Sequence, residues 1–135
     1  MKIIDDNLLA ITNVMFKNKS DWQWVTDEQK ETYFFIINRM MSKIYYEKAQ
    51  LLNTKNIDKV SSMNLWYNFF LDKPYPKWFW SKDKSSKKEL ITQKDFKLLL
   101  HKLKIKDKDL KYLIDKHFDF IKDELKYFKS LEKEK

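Results

Sequence analysis

Phe35, Asn38, Arg39 and Ser42 recur at spacings of three and four residues, so a single helix would bring all four to one face. The opposite face of that helix would hold Tyr33, Ile36, Ile37, Met40, Met41 and Ile44, an apolar stripe at i, i+3, i+4, i+7, i+8 and i+11. A phenylalanine beside the only arginine of the chain, turned away from that stripe, has the chemistry of a small docking patch. Interface centres are enriched in arginine and aromatic side chains. The same face could instead be covered by another helix of the domain, which would make the helix central and the four residues packing.

A second constellation is Pro74-Tyr75-Pro76-Lys77-Trp78-Phe79-Trp80-Ser81-Lys82, in which rings alternate with cations in a proline-stiffened segment. Such an alternation can stack on bases and grip phosphate. It can equally anchor a protein interface or tuck beneath the domain as an apolar plug. If the segment is extended, Trp78 and Trp80 share a side opposite Phe79. Lysines then crowd Lys82 to Lys88 and Lys94 to Lys111. Lys77, Trp78, Trp80, Lys82, Lys84, Lys87 and Lys88 are thus the candidates for nucleic-acid or partner contact. Lysine in place of arginine argues against a helix that reads bases. Lysine-rich stretches of this kind also occur simply as solvated helix faces.

Other chemistry is missing. The 135 residues include no glycine, the residue on which phosphate-cradling and dinucleotide-binding loops are built. ATP and NAD are therefore not expected as ligands, and no cofactor is expected. Zero cysteine removes disulfides, thiolate catalysis and cysteine-ligated zinc. His101 and His117 stand apart, without acids at metal-ligand spacing, so no metal site is expected. Asp115, Asp119, Asp123 and Glu124 alternate with lysines, the pattern of a solvated, salt-bridged helix face. An enzyme is not expected.

The elements that would position these residues are helical throughout. The absence of glycine disfavours tight hairpins, and 3.6-residue periodicity dominates. A first helix is expected over about Asp6 to Phe16, followed by a polar turn from Lys17 to Asp21. Thr26-Asp27-Glu28-Gln29 has the form of a capping box, opening a helix to about Tyr45. Asp58 caps the next, about Lys59 to Leu71, which is apolar on most sides. Such a helix is either central or faces a partner. The prolines at 74 and 76 stop it.

Beyond a linker from Ser81 to Lys88, Thr92 opens a helix with Phe96, Leu99, Leu100 and Leu103 on one face. Asp107 opens another with Leu110, Leu113, Ile114 and Phe118. A last helix over about Asp119 to Leu131 buries Ile121, Leu125 and Phe128, and Glu132 to Lys135 fray. The expectation is an all-α fold, a single small domain of about five to six helices. Residues 1–80 form its aromatic-rich core and residues 81–135 a lysine-rich helical part packed on the same domain. Residues 1–80 hold 11 basic and 9 acidic residues, net +2, and the remainder 17 and 11, net +6. Sixteen of the 22 aromatics lie in the first part.

The order of motifs carries a resemblance. Phe34-Phe35-Ile36-Ile37-Asn38-Arg39-Met40-Met41-Ser42 is similar to a stretch of the small (A) subunit of bacteriophage sliding-clamp loaders, where an aromatic, apolar residues, an Asn-Arg-like pair and a Ser share one helix. Ala49-Gln50-Leu51-Leu52-Asn53 and Leu65-Trp66-Tyr67-Asn68-Phe69-Phe70 follow in the family's order. Lys73-Pro74-Tyr75-Pro76-Lys77-Trp78 then stands where the family has a basic, aromatic segment, with prolines in place of arginines. Leu90 to Phe128 resembles its lysine-rich helical end, so the likeness runs from about Tyr33 to Phe128.

The resemblance implies a non-ATPase subunit of DNA replication. Such a subunit joins a clamp-loader ATPase subunit to load a sliding clamp at primer-template junctions, with weak DNA contact through lysines. The alternatives are a stand-alone nucleic-acid-binding protein and a phage virion or host-interaction protein. Two acids near the start, in Ile3-Ile4-Asp5-Asp6, argue against a signal peptide. No apolar run is long enough to span a bilayer. A cytoplasmic protein without membrane contact is expected, in the host cytoplasm if it is viral.

Overall fold

The computed structural model describes residues 2–54, 56–74 and 91–133, with backbone alone for the last two. Among these residues there are seven α-helices, one 3-10 helix and no strand. The fold is all-α, with slightly more helices than the periodicity suggests. The chain divides into two compact units, Met1–Lys77 and Trp78–Lys135.

The first unit starts with α1 (Leu8–Phe16), capped by the Asn7 side chain, which accepts from the Ala10 N–H at 2.8 Å. Where a plain turn was expected, the chain forms a 3-10 helix, Lys19–Trp24. Helix α2 (Asp27–Ser42) has the full capping box. The Gln29 N–H donates to Thr26 Oγ1, and the Thr26 N–H donates back to Gln29 Oε1. Two donors with no partner inside the helix are satisfied together, which fixes its start.

Helix α2 ends three residues before the expected boundary. The N–H groups of Lys43, Ile44 and Tyr45 turn back onto the Met40 and Met41 carbonyls. Ile44 therefore leaves the stripe and is 55% exposed, while Tyr33, Ile36, Ile37, Met40 and Met41 are buried. A short helix not expected from the sequence, α3 (Tyr46–Leu52), follows at once and buries Ala49 and Leu52. Helix α4 (Lys59–Leu71) begins at Asp58, whose carboxylate accepts from the Ser61 N–H at 2.8 Å. That bond, together with the Ser61 hydroxyl, holds the Asp58 carboxyl below its ordinary pKa.

Within this unit α2 packs on both α3 and α4, and α1 packs on the 3-10 helix and α4. Trp66, Tyr33, Phe16 and Phe70 are the largest fully buried side chains here. Phe16 meets Phe70 edge to face at 4.8 Å, an arrangement that ring quadrupoles favour. The 3-10 helix is fastened to the far end of α4. Lys19 Nζ donates to the carbonyls of Phe70 at 2.6 Å and Lys73 at 2.7 Å, and Tyr67 Oη donates to the Lys19 carbonyl. A helix C-terminus presents carbonyls without partners and a partial negative charge, and one ammonium answers both.

The second unit holds α5 (Gln93–Leu103), α6 (Asp107–Lys116) and α7 (Phe118–Lys133), which pack pairwise. Thr92 caps α5 through the Asp95 N–H. At its other end Lys104 takes the left-handed conformation, φ 56°, that glycine usually supplies after a helix. Leu99, Leu103, Leu110, Leu113, Phe118, Ile121 and Phe128 are buried, whereas Phe96, Leu100, Ile114 and Leu125 are only partly covered. Phe118 opens α7 instead of closing α6.

The solvated acidic face expected near the end needs one correction. Asp115, Asp119 and Asp123 are exposed, but Glu124 is 1% exposed. It lies three residues after Ile121 and four before Phe128, inside the buried stripe of α7. Asp109 on α6 is buried as well. No helix among the described residues is long and apolar enough to cross a membrane.

Candidate partner interface

Helix α2 places the four candidate residues of the docking patch in two environments. Phe35, Arg39 and Ser42 are half-buried on the face away from Tyr33, Ile37 and Met40. The Arg39 guanidinium carbon lies 5.9 Å from the centroid of the Phe35 ring, one turn away. A guanidinium over a ring face is attracted by the ring quadrupole, and both Phe35 and Arg39 make a further contact besides this one. Ser42 turns its hydroxyl back to the Arg39 carbonyl, so it closes the last turn of the helix. Together they set one ring and one cation side by side, half-buried, on this face of the helix.

Asn38 does not belong to that surface. It is 7% exposed and joins three helices: its amide nitrogen donates to the Ala49 carbonyl on α3 at 3.0 Å. Its oxygen accepts from the Trp66 indole N–H on α4 at 2.9 Å. The reason is angular. Asn38 follows Ile37 and stands one turn after the buried Phe34, so it falls on the flank of α2 that α3 and α4 cover. An indole N–H in a core needs an acceptor, and Asn38 supplies it. The residue positions the patch from beneath.

Lys77, Trp78, Trp80, Lys82, Lys84, Lys87 and Lys88, with the Ser81 to Lys88 linker, lie outside the described residues. The lysines from Lys94 to Lys111 are exposed, apart from the half-buried Lys102. His101 is exposed and His117 half-buried. Among the described residues no three histidine, aspartate or glutamate side chains are grouped to hold a metal ion.

One basic-aromatic cluster was not singled out from the sequence. Phe69 of α4, half-buried, has Lys73 Nζ 4.2 Å and Lys48 Nζ 4.8 Å from its ring centroid. Tyr45 meets the same ring edge to face at 5.0 Å. The four-residue spacing of Phe69 and Lys73 is visible in the sequence. Lys48 reaches the ring only because α3 folds back onto α2, and nothing local announces that. No protein-family model, no curated protein and no solved structure matches this chain.

Proposed function

We propose that this chain is a non-catalytic accessory subunit of DNA replication, joining an ATPase subunit to load a sliding clamp as the resembling phage subunits do. The half-buried Phe35–Arg39 pair carries the reading: an arginine and a ring stand together on the outer side of a helix whose opposite side is fully buried. Interfaces draw most of their binding energy from such anchors. Support also comes from the chain itself, which has no glycine for a phosphate loop and so would depend on another subunit for ATP.

On this reading the ATPase partner binds across α2, and the basic second unit adds weak, salt-sensitive attraction to DNA. The test is affinity capture of the tagged chain from the cells in which it is naturally made, followed by mass spectrometry and an ATPase assay. An ATPase subunit recovered at fixed ratio, with turnover absent from the isolated chain, is expected. Capture of virion proteins alone, or of none, would contradict the proposal.

A further inference from the structure

We infer that Phe69, Lys48 and Lys73 form a contact site for single-stranded nucleic acid on the Met1–Lys77 unit. Two ammonium groups converge on one ring, at 4.8 Å and 4.2 Å from its centroid, and Lys48 also lies 5.9 Å from the Trp66 ring. Like charges gathered in this way repel unless an anion answers them. Among the described residues no carboxylate pairs with Lys48; its sequence neighbour Glu47 is exposed. Lys73 has only the adjacent Asp72, at 3.7 Å and 85% exposed, a pair that water screens almost entirely.

Helix capping does not explain the two lysines, because Lys19 already serves the carbonyls at the end of α4. The ligand must therefore offer negative charge, and beside it something flat for a half-buried ring flanked by Tyr45. A single strand offers both at short intervals, phosphates for the ammonium groups and an unpaired base for the ring. A duplex keeps its bases stacked on one another, and a run of acidic side chains alone offers no ring to stack. On binding, each ammonium moves from the ring face to a phosphate, which frees that face for a base. This site is independent of the Phe35–Arg39 patch and does not rest on the assembly reading.

The experiment is fluorescence anisotropy of a labelled oligothymidine of about 20 nucleotides with the full chain, between about 50 and 200 mM salt. The expected dissociation constant at physiological salt is on the order of 10⁻⁵ M, in the range of non-specific contacts. Lys48→Gln with Lys73→Gln should weaken it about tenfold or more and reduce the salt slope by about 1.4, the value for two phosphates of a single strand. Phe69→Leu should weaken binding about fivefold and leave the slope unchanged. Lys108→Gln with Lys111→Gln, an exposed pair of equal charge on α6, removes only part of the diffuse attraction of the second unit and should weaken binding by no more than about threefold.

Lysine acetylation of the unaltered protein, mapped by mass spectrometry, gives the same answer without any variant. The oligonucleotide should protect Lys48 and Lys73 more than Lys108 and Lys111. Absence of binding, equal loss in the α6 pair, uniform protection, equal affinity for duplex, or displacement by polyglutamate at matched charge would each overturn the site.

Discussion

The two units bury polar groups of different kinds. Among the described residues of Met1–Lys77 the buried neutral polar side chains are Thr12, Asn38 and Ser62, each donating to a backbone carbonyl (Leu8, Ala49 and Leu52), while the buried Lys30 sets its ammonium over the Trp22 ring. Two of those bonds cross between helices, so the mutual placement of α2, α3 and α4 is written in directional bonds as well as in packing. In Trp78–Lys135 the buried polar side chains among the described residues are the carboxylates Asp109 and Glu124, both engaged with partners, and the Oη of Tyr112 and Nε2 of His117, two half-buried residues, are buried as well. Their helices otherwise show leucine and phenylalanine inward and lysine outward. The difference teaches where precision is located. The Phe35–Arg39 pair on α2 stands on a bonded aromatic framework, whereas the lysines of the second unit from Lys94 to Lys111 are mostly exposed on the outside of their helices.

The comparison can be broken by removing what each unit relies on. Trp66→Ala should have the largest effect, roughly 3–5 kcal/mol in urea unfolding, because it deletes a fully buried ring together with its bond to Asn38. A loss below about 1 kcal/mol would mean that the framework tolerates a hole at its centre. Asn38→Ala should cost about 1–3 kcal/mol, since it leaves the Trp66 N–H and the Ala49 carbonyl without partners. Combining Asn38→Ala with Trp66→Phe should cost less than the two single losses added, because the indole donor is then gone.

A half-exposed ion pair of the second unit should respond more gently than the buried Asn38 bonds. Lys129 pairs with Asp95 at 3.0 Å, with half of the lysine side chain exposed. Lys129→Gln should cost only about 0.2–1 kcal/mol, and thermal melts in about 1 M salt should erase the difference. A salt-independent loss would place that pair in the same class as the Asn38 bonds.

What could be read from the sequence follows from the range of each interaction. The caps at Thr26, Asp58 and Thr92 are bonds over three residues, and their chemistry is visible at once. The stripe of α2 was legible up to Met41 because helical geometry extends a local pattern. It failed at Ile44 because the chain turns at Lys43, with no proline or glycine to announce the break. Helix α3 has seven residues and no side-chain cap, too little local signal to read. Asn38 was misplaced because its partner Trp66 is 28 residues away, and the Lys19 bonds span 51 to 54 residues. Glu124 looked solvated because lysines surround it in sequence, although its helical position is apolar.

The central claim is that the Phe35–Arg39 face meets another protein, and Arg39→Ala tests it most directly. The substitution removes the guanidinium from above the Phe35 ring, together with the further contact that Arg39 makes, and leaves the bond between Asn38 and Trp66 in place. Melting and partner capture are to be measured on the same preparation. The account predicts a stability change of no more than about half a kcal/mol, with ATPase-partner affinity weakened by roughly 1–3 kcal/mol. A marked fall in melting temperature, with partner binding retained by the protein that stays folded, would make the pair part of the core and contradict the claim.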